Sequence, residues 1–129
     1  MAASSMKPPD AALRDLVQLW LDKAAPDFEA AEQLSMQSGR FREIVAFHCQ
    51  QAVEKSLKAA LARRGVEFPY THDLDGLLEL CRTNGLDVPS ALDGAERLAP
   101  YGVHLRYGTS RTGNLDRDEA LRWARGASQ

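Results

Sequence analysis

The stretch FREIVAFHCQQAVEKSLKAALARRG, residues 41–65, decides the fold. Stepped at about 100° per residue, Val45, Cys49, Ala52, Val53, Ser56, Leu57, Ala60 and Leu61 fill one broad apolar arc. On the other side His48, Gln51, Lys55 and Lys58 recur at spacings of three, four and three. That polar stripe reads as a solvated face. Glu54 precedes Lys58 by four residues, the favourable order for a helix ion pair, which contributes a few tenths of a kcal/mol. Gln50 falls at the edge of the arc, near Leu57 and Leu61. An unpartnered buried amide costs about 1–3 kcal/mol, so Gln50 is expected to bond across to another helix or subunit. Gly65 supplies the C-terminal stop. The segment is therefore a long helix from about Phe41 to Arg64.

Working outward, the preceding segment keeps the same period. Leu13, Leu16, Val17, Trp20, Ala24, Ala31 and Leu34 hold helical spacing from an Asp10 cap to about Gln37, with Ser38-Gly39 closing it. Pro26 lies inside this pattern, where it removes a hydrogen bond, so a kink is expected near residues 22–26. Downstream, Thr71 is positioned to cap a third helix whose buried stripe is Leu74, Leu77, Leu78 and Cys81, ended by Asn84-Gly85. A fourth helix is expected after Pro89, with Leu92, Ala95, Leu98 and Ala99 inward and Pro100 interrupting it. Asp116 and Glu119 form a capping-box-like start to a last helix carrying Ala120, Leu121, Trp123 and Ala124, with Gly126 as its stop. No segment alternates with period two. The predicted fold class is all-α: an up-and-down bundle of four to five helices headed by a long antiparallel pair.

Composition bounds the function. At 129 residues, 44% hydrophobic and 26% charged, the chain is one globular domain that excludes disordered, fibrous and coiled-coil classes. No apolar run is long enough for a membrane span, and the first ten residues read as a flexible leader with no secretory signal, so a cytoplasmic location is expected. Cys49 and Cys81 are too few and too far apart for a disulfide framework or a zinc site, and no cofactor or metal is expected. The net charge of −2 is unevenly spread: −3 over residues 1–37, +4 over 40–64, −5 over 65–100 and +2 over 101–129. Any contact with phosphate must come from a local patch.

The strings FHCQQAVEKSLKAAL (47–61), GVEFPYTHDLDGLLELC (65–81) and LAPYGVHLRYG (98–108), in that order, resemble the HEPN domain family. The family's marks are a QQAxEKxLKA-type second helix, a THDL-type start to the third and an RYP-type signature, here departing at Gly108. The resemblance spans about residues 12–126, so that 11–126 is read as one HEPN-like domain. It implies a helical bundle that forms homodimers, often beside a minimal nucleotidyltransferase in toxin–antitoxin-type systems. The associated functions are RNA cleavage, nucleotide or RNA binding, and service as the nucleotidyltransferase's partner.

Two sets of candidate residues follow. The ribonuclease branch of the family uses an arginine and a histidine four to six residues apart, one pair from each subunit. Arg97 and His104, separated by six residues, meet that spacing, with Pro100 between them. The favoured set is Lys55, Lys58, His72, Asp73, Arg106 and Tyr107, a nucleotide- or phosphate-binding cluster in which cations suit phosphate and rings bond or stack on a base. Each member has a bland reading too: Arg106 pairing with Asp73 or Glu54, Tyr107 in the core, His72 bonding backbone, the lysines solvated. The leading expectation is a homodimeric nucleotide- or RNA-binding module. A metal-independent endoribonuclease and a ligand-free dimeric scaffold are the alternatives.

Overall fold

The computed structural model describes residues 9–37, 41–104 and 117–127. The described residues hold five α-helices: α1 (Pro9–Ser35), α2 (Arg42–Arg63), α3 (Leu74–Thr83), α4 (Ala99–His104) and α5 (Arg117–Ala127). No strand occurs among the described residues. None of these helices is long and apolar enough to cross a membrane.

α1 begins at Pro9, one residue before the expected Asp10 cap, because proline's fixed φ and missing N–H suit the first helical position. It runs as one helix through Pro26. Asp27 of α1 reaches His48 and Lys55 of α2, whereas Trp20 reaches Lys58, so the two helices run antiparallel. Small residues are buried along both helices, Ala24 and Ala31 on α1 and Ala46, Ala52, Ala59 and Ala62 on α2. Small side chains allow close backbone approach.

α2 is the centre of the molecule and packs against α1, α3, α4 and α5. Val45, Cys49, Val53, Leu57 and Leu61 join Leu74, Leu77, Leu78 and Cys81 of α3 and Ala120, Leu121, Trp123 and Ala124 of α5 in one core. A smaller cluster, Val17 with Ala59 and Ala62, closes the seam beside Trp20 and Phe68. Burial extends well beyond the expected arc: Gln50, Glu54 and Lys58 are also inside. Lys58, expected on a solvated face, is only 2% exposed. The periodicity of α2 alone cannot register that α1 and the linker before α3 cover its polar side.

Three local expectations are corrected. α3 starts at Leu74 with Asp73 at its N-cap; Thr71 instead accepts a hydrogen bond from the Asp73 N–H through Oγ1, at 3.0 Å. The expected fourth helix is two 3-10 turns, Ser90–Leu92 and Ala95–Leu98, followed by α4. Gly94, at φ 85°, turns the chain between them, and Pro100 is tolerated in the first turn of α4. Leu92, Ala95 and Leu98 are buried as expected. Gly126 is not a stop, since α5 continues to Ala127; a Cβ there would stand 2.9 Å from the Ala91 Cβ, so the glycine permits close approach. The Ser38-Gly39 stop and the Asp116 cap lie outside the described residues.

Candidate functional site

The densest polar chemistry is centred on Glu54, which is 1% exposed. Gln50 Nε2 donates to Oε1 at 3.0 Å and Lys58 Nζ donates to Oε2 at 3.0 Å, each one helical turn away. His72, on the linker ahead of α3, approaches both oxygens through Nδ1, at 3.2 and 3.0 Å. A carboxylate offers only acceptors, so Nδ1 carries the hydrogen. Gln51 Nε2 donates to Gln50 Oε1 at 2.6 Å. The Lys58 ammonium also lies over the Trp20 ring, 5.0 Å from its centroid. Gln50 thus finds its partner on its own helix rather than across to another. The i, i+4, i+8 ladder Gln50–Glu54–Lys58 is neutral as a unit, which is how three polar side chains are held inside a core.

This ladder presents a ring to solvent. The His72 side chain is 56% exposed while its carboxylate anchor is buried, so the imidazole is fixed by Nδ1 and open at the opposite side. Tyr70, 98% exposed, tilts against it with ring centroids 6.5 Å apart. Asp73 is exposed, and its Oδ2 lies 2.8 Å from where a Cβ on Gly76 would stand, so the carboxylate is folded over the first turn of α3. Glu54 therefore links Lys58 to His72, and Tyr70, which reads as plain linker in the sequence, stands beside that ring; Asp73 follows His72 in the chain and turns toward α3 instead. Its signal there is an aromatic two residues before His72.

Lys55 belongs to a different group. Its Nζ donates to Asp27 Oδ2 at 2.6 Å, and His48 Nδ1 donates to Asp27 Oδ1 at 2.9 Å. Asp27 and His48 were not among the expected site residues. Their pairing joins positions 21 residues apart on two helices, which a single sequence does not display.

Arg97 is held in place by other groups. Its Nη2 donates to Glu119 Oε2 at 2.9 Å, its Nε to the Gly94 carbonyl at 3.3 Å, and its guanidinium lies 5.0 Å from the centroid of the Trp123 ring. Trp123 in turn donates to the Asp93 carbonyl at 2.9 Å, so these contacts fasten α5 to the 3-10 turns. Arg97 stands in a 3-10 turn and His104 ends α4, so the two are on separate elements. Arg106 and Tyr107 lie outside the described residues.

Other chemistry is thin. Cys49 and Cys81 are free and buried; burial pushes the Cys49 thiol up to about 12, against a small opposing pull from Arg125. A thiol so protonated is no nucleophile at neutral pH. No cluster of three or more His, Cys, Asp or Glu able to hold a metal occurs among the described residues. A groove of about 490 Å³, lined by Leu13, Arg14, Val17, Gln18, Leu21 and Arg63, holds neither histidine.

A family model described as HEPN domain matches residues 17–128. No curated protein and no solved structure matches the chain at a significant level.

Proposed function

The chain belongs to the HEPN domain family, and from that premise we propose that it is a homodimeric nucleotide- or RNA-binding module that works beside a minimal nucleotidyltransferase. The observation that carries the binding role is the exposed His72 ring, fixed at Nδ1 by a buried carboxylate and flanked by Tyr70. Fixing a ring beforehand lowers the entropy lost on binding. Tyr70 supplies a stacking face for a base, and His72 a hydrogen-bonding nitrogen. Lys58 serves here by neutralising Glu54 rather than by touching phosphate; Arg106 and Tyr107 further on remain the groups proposed for phosphate and base, while Lys55 stands apart with Asp27 and His48.

Tyr70→Ala is the clean test, because an almost fully exposed ring has little structural role. Losing one stacked base costs about 1–3 kcal/mol. Titration with a short single-stranded RNA, and with adenosine 5′-monophosphate, should therefore show affinity falling at least about fivefold while the unfolding midpoint holds. Unchanged affinity overturns the assignment. Binding should also weaken with salt, with a log–log slope of about −0.7 per phosphate contact. Sedimentation equilibrium checks the dimer, and co-purification with a co-encoded nucleotidyltransferase checks the partner. RNA cleavage by the unmodified protein, abolished in His104→Ala, would replace this reading with the ribonuclease built on Arg97 and His104.

A further inference from the structure

Asp27 lies within α1 with its carboxylate 14% exposed, and both its oxygens are taken by donors from α2, His48 and Lys55. Withdrawing a carboxylate from water is expensive, and apolar residues of similar volume would join two helices as well or better. The arrangement leaves reactive capacity unused. With Nδ1 given to Asp27, the His48 Nε2 has no partner among the described residues, and the Lys55 ammonium has two further hydrogens. Their side chains are 26% and 21% exposed, within reach of a small ligand.

We propose that Asp27, His48 and Lys55 form a second binding site, for the phosphoryl group of a phosphomonoester, the terminal phosphate of a nucleotide or of an RNA end. The site rests on the nucleotide reading above and extends it to a substrate class. The Lys55 ammonium is balanced by the Asp27 carboxylate, so the trio exerts no general pull on a polyanion. A phosphomonoester has an ionisable proton on its terminal oxygens, which can lie between one of them and the Nε2 edge while Nδ1 stays with Asp27 and Lys55 donates to a second oxygen. A phosphodiester has a single charge and no such proton.

The test follows the histidine ring resonances of the full-length chain by NMR during four titrations: inorganic phosphate, adenosine 5′-monophosphate, cyclic 3′,5′-adenosine monophosphate and adenosine. Phosphate and the monophosphate should move His48; the cyclic diester and adenosine should not. His48→Gln and Lys55→Met should each weaken monophosphate binding at least about tenfold, the loss of one hydrogen bond to a charged group. Either variant suffices should the other fail to fold. If the nucleotide moves His72 alone, the second site is wrong and the nucleotide reading stands. If no ligand moves either ring, both fall. If the cyclic diester moves His48 as strongly as the monophosphate, the preference for monoesters is wrong.

Discussion

Glu54 shows how a single residue governs its surroundings. With four side-chain contacts to three donors it is satisfied, and removing Lys58 leaves it short by a charge. Lys58→Met should cost about 3 kcal/mol in urea unfolding, the low end for breaking a buried ion pair, because Gln50 and His72 still donate. The double variant Glu54→Gln, Lys58→Met should lose less than the two single losses combined. Cys49 gives a pH dependence. Burial raises its thiol from 9.0 to about 12, so the folded state keeps a proton that the unfolded chain has lost. Its contribution to stability is complete below pH 9 and disappears as pH climbs from 9 toward 12. The slope is at most about 1.4 kcal/mol per pH unit. Comparing unfolding midpoints of wild type and Cys49→Ala from pH 8 to 11 should show a steeper alkaline fall in the wild type. At this scale sequence reading succeeds where a residue's character is intrinsic, as with the buried cysteines. It fails at Lys58, whose charge says solvent and whose neighbours, Trp20 and Glu54, say otherwise.

Among the elements, α3 and α5 were legible because each buries one face only. Leu74, Leu77, Leu78 and Cys81, and Ala120, Leu121, Trp123 and Ala124, repeat at helical spacing and are buried in the structure. The segment after Pro89 was misread as one helix, since its inward residues Leu92, Ala95 and Leu98 fit a helical period equally well as two 3-10 turns around the left-handed Gly94. Nothing local indicates that this segment must bend to meet α5. The close approach of Gly126 to Ala91 is one place where they meet, beside the Arg97 and Trp123 contacts. Gly126→Ala gains up to about 1 kcal/mol of helix propensity but adds a methyl in a space that does not exist, an overpacking cost of about 1–3 kcal/mol. Net destabilisation is expected in thermal or urea unfolding. Ala91→Gly should restore much of it, giving a coupling of at least about 1 kcal/mol in a double-mutant cycle.

For the whole molecule, the antiparallel pair and the all-α bundle were readable because helical period dominates every segment, whereas the two histidine sites are assemblies across α1, α2 and the linker before α3. Asp27 and His48, or Glu54 and His72, share no sequence neighbourhood. α2 packs against every other helix, so its amides cannot open without dismantling the core. In hydrogen exchange, amides from Cys49 to Leu61 should exchange only through global unfolding and track its free energy, while those of Ala99–His104 should exchange sooner. A hub helix packed against all the others also sets how the chain accommodates change over generations. Substitutions will accumulate on the outer sides of α1 and α3 and spare α2, and any drift at positions 50, 54, 58 and 72 will have to come as correlated replacements, a block inherited together rather than four independent sites.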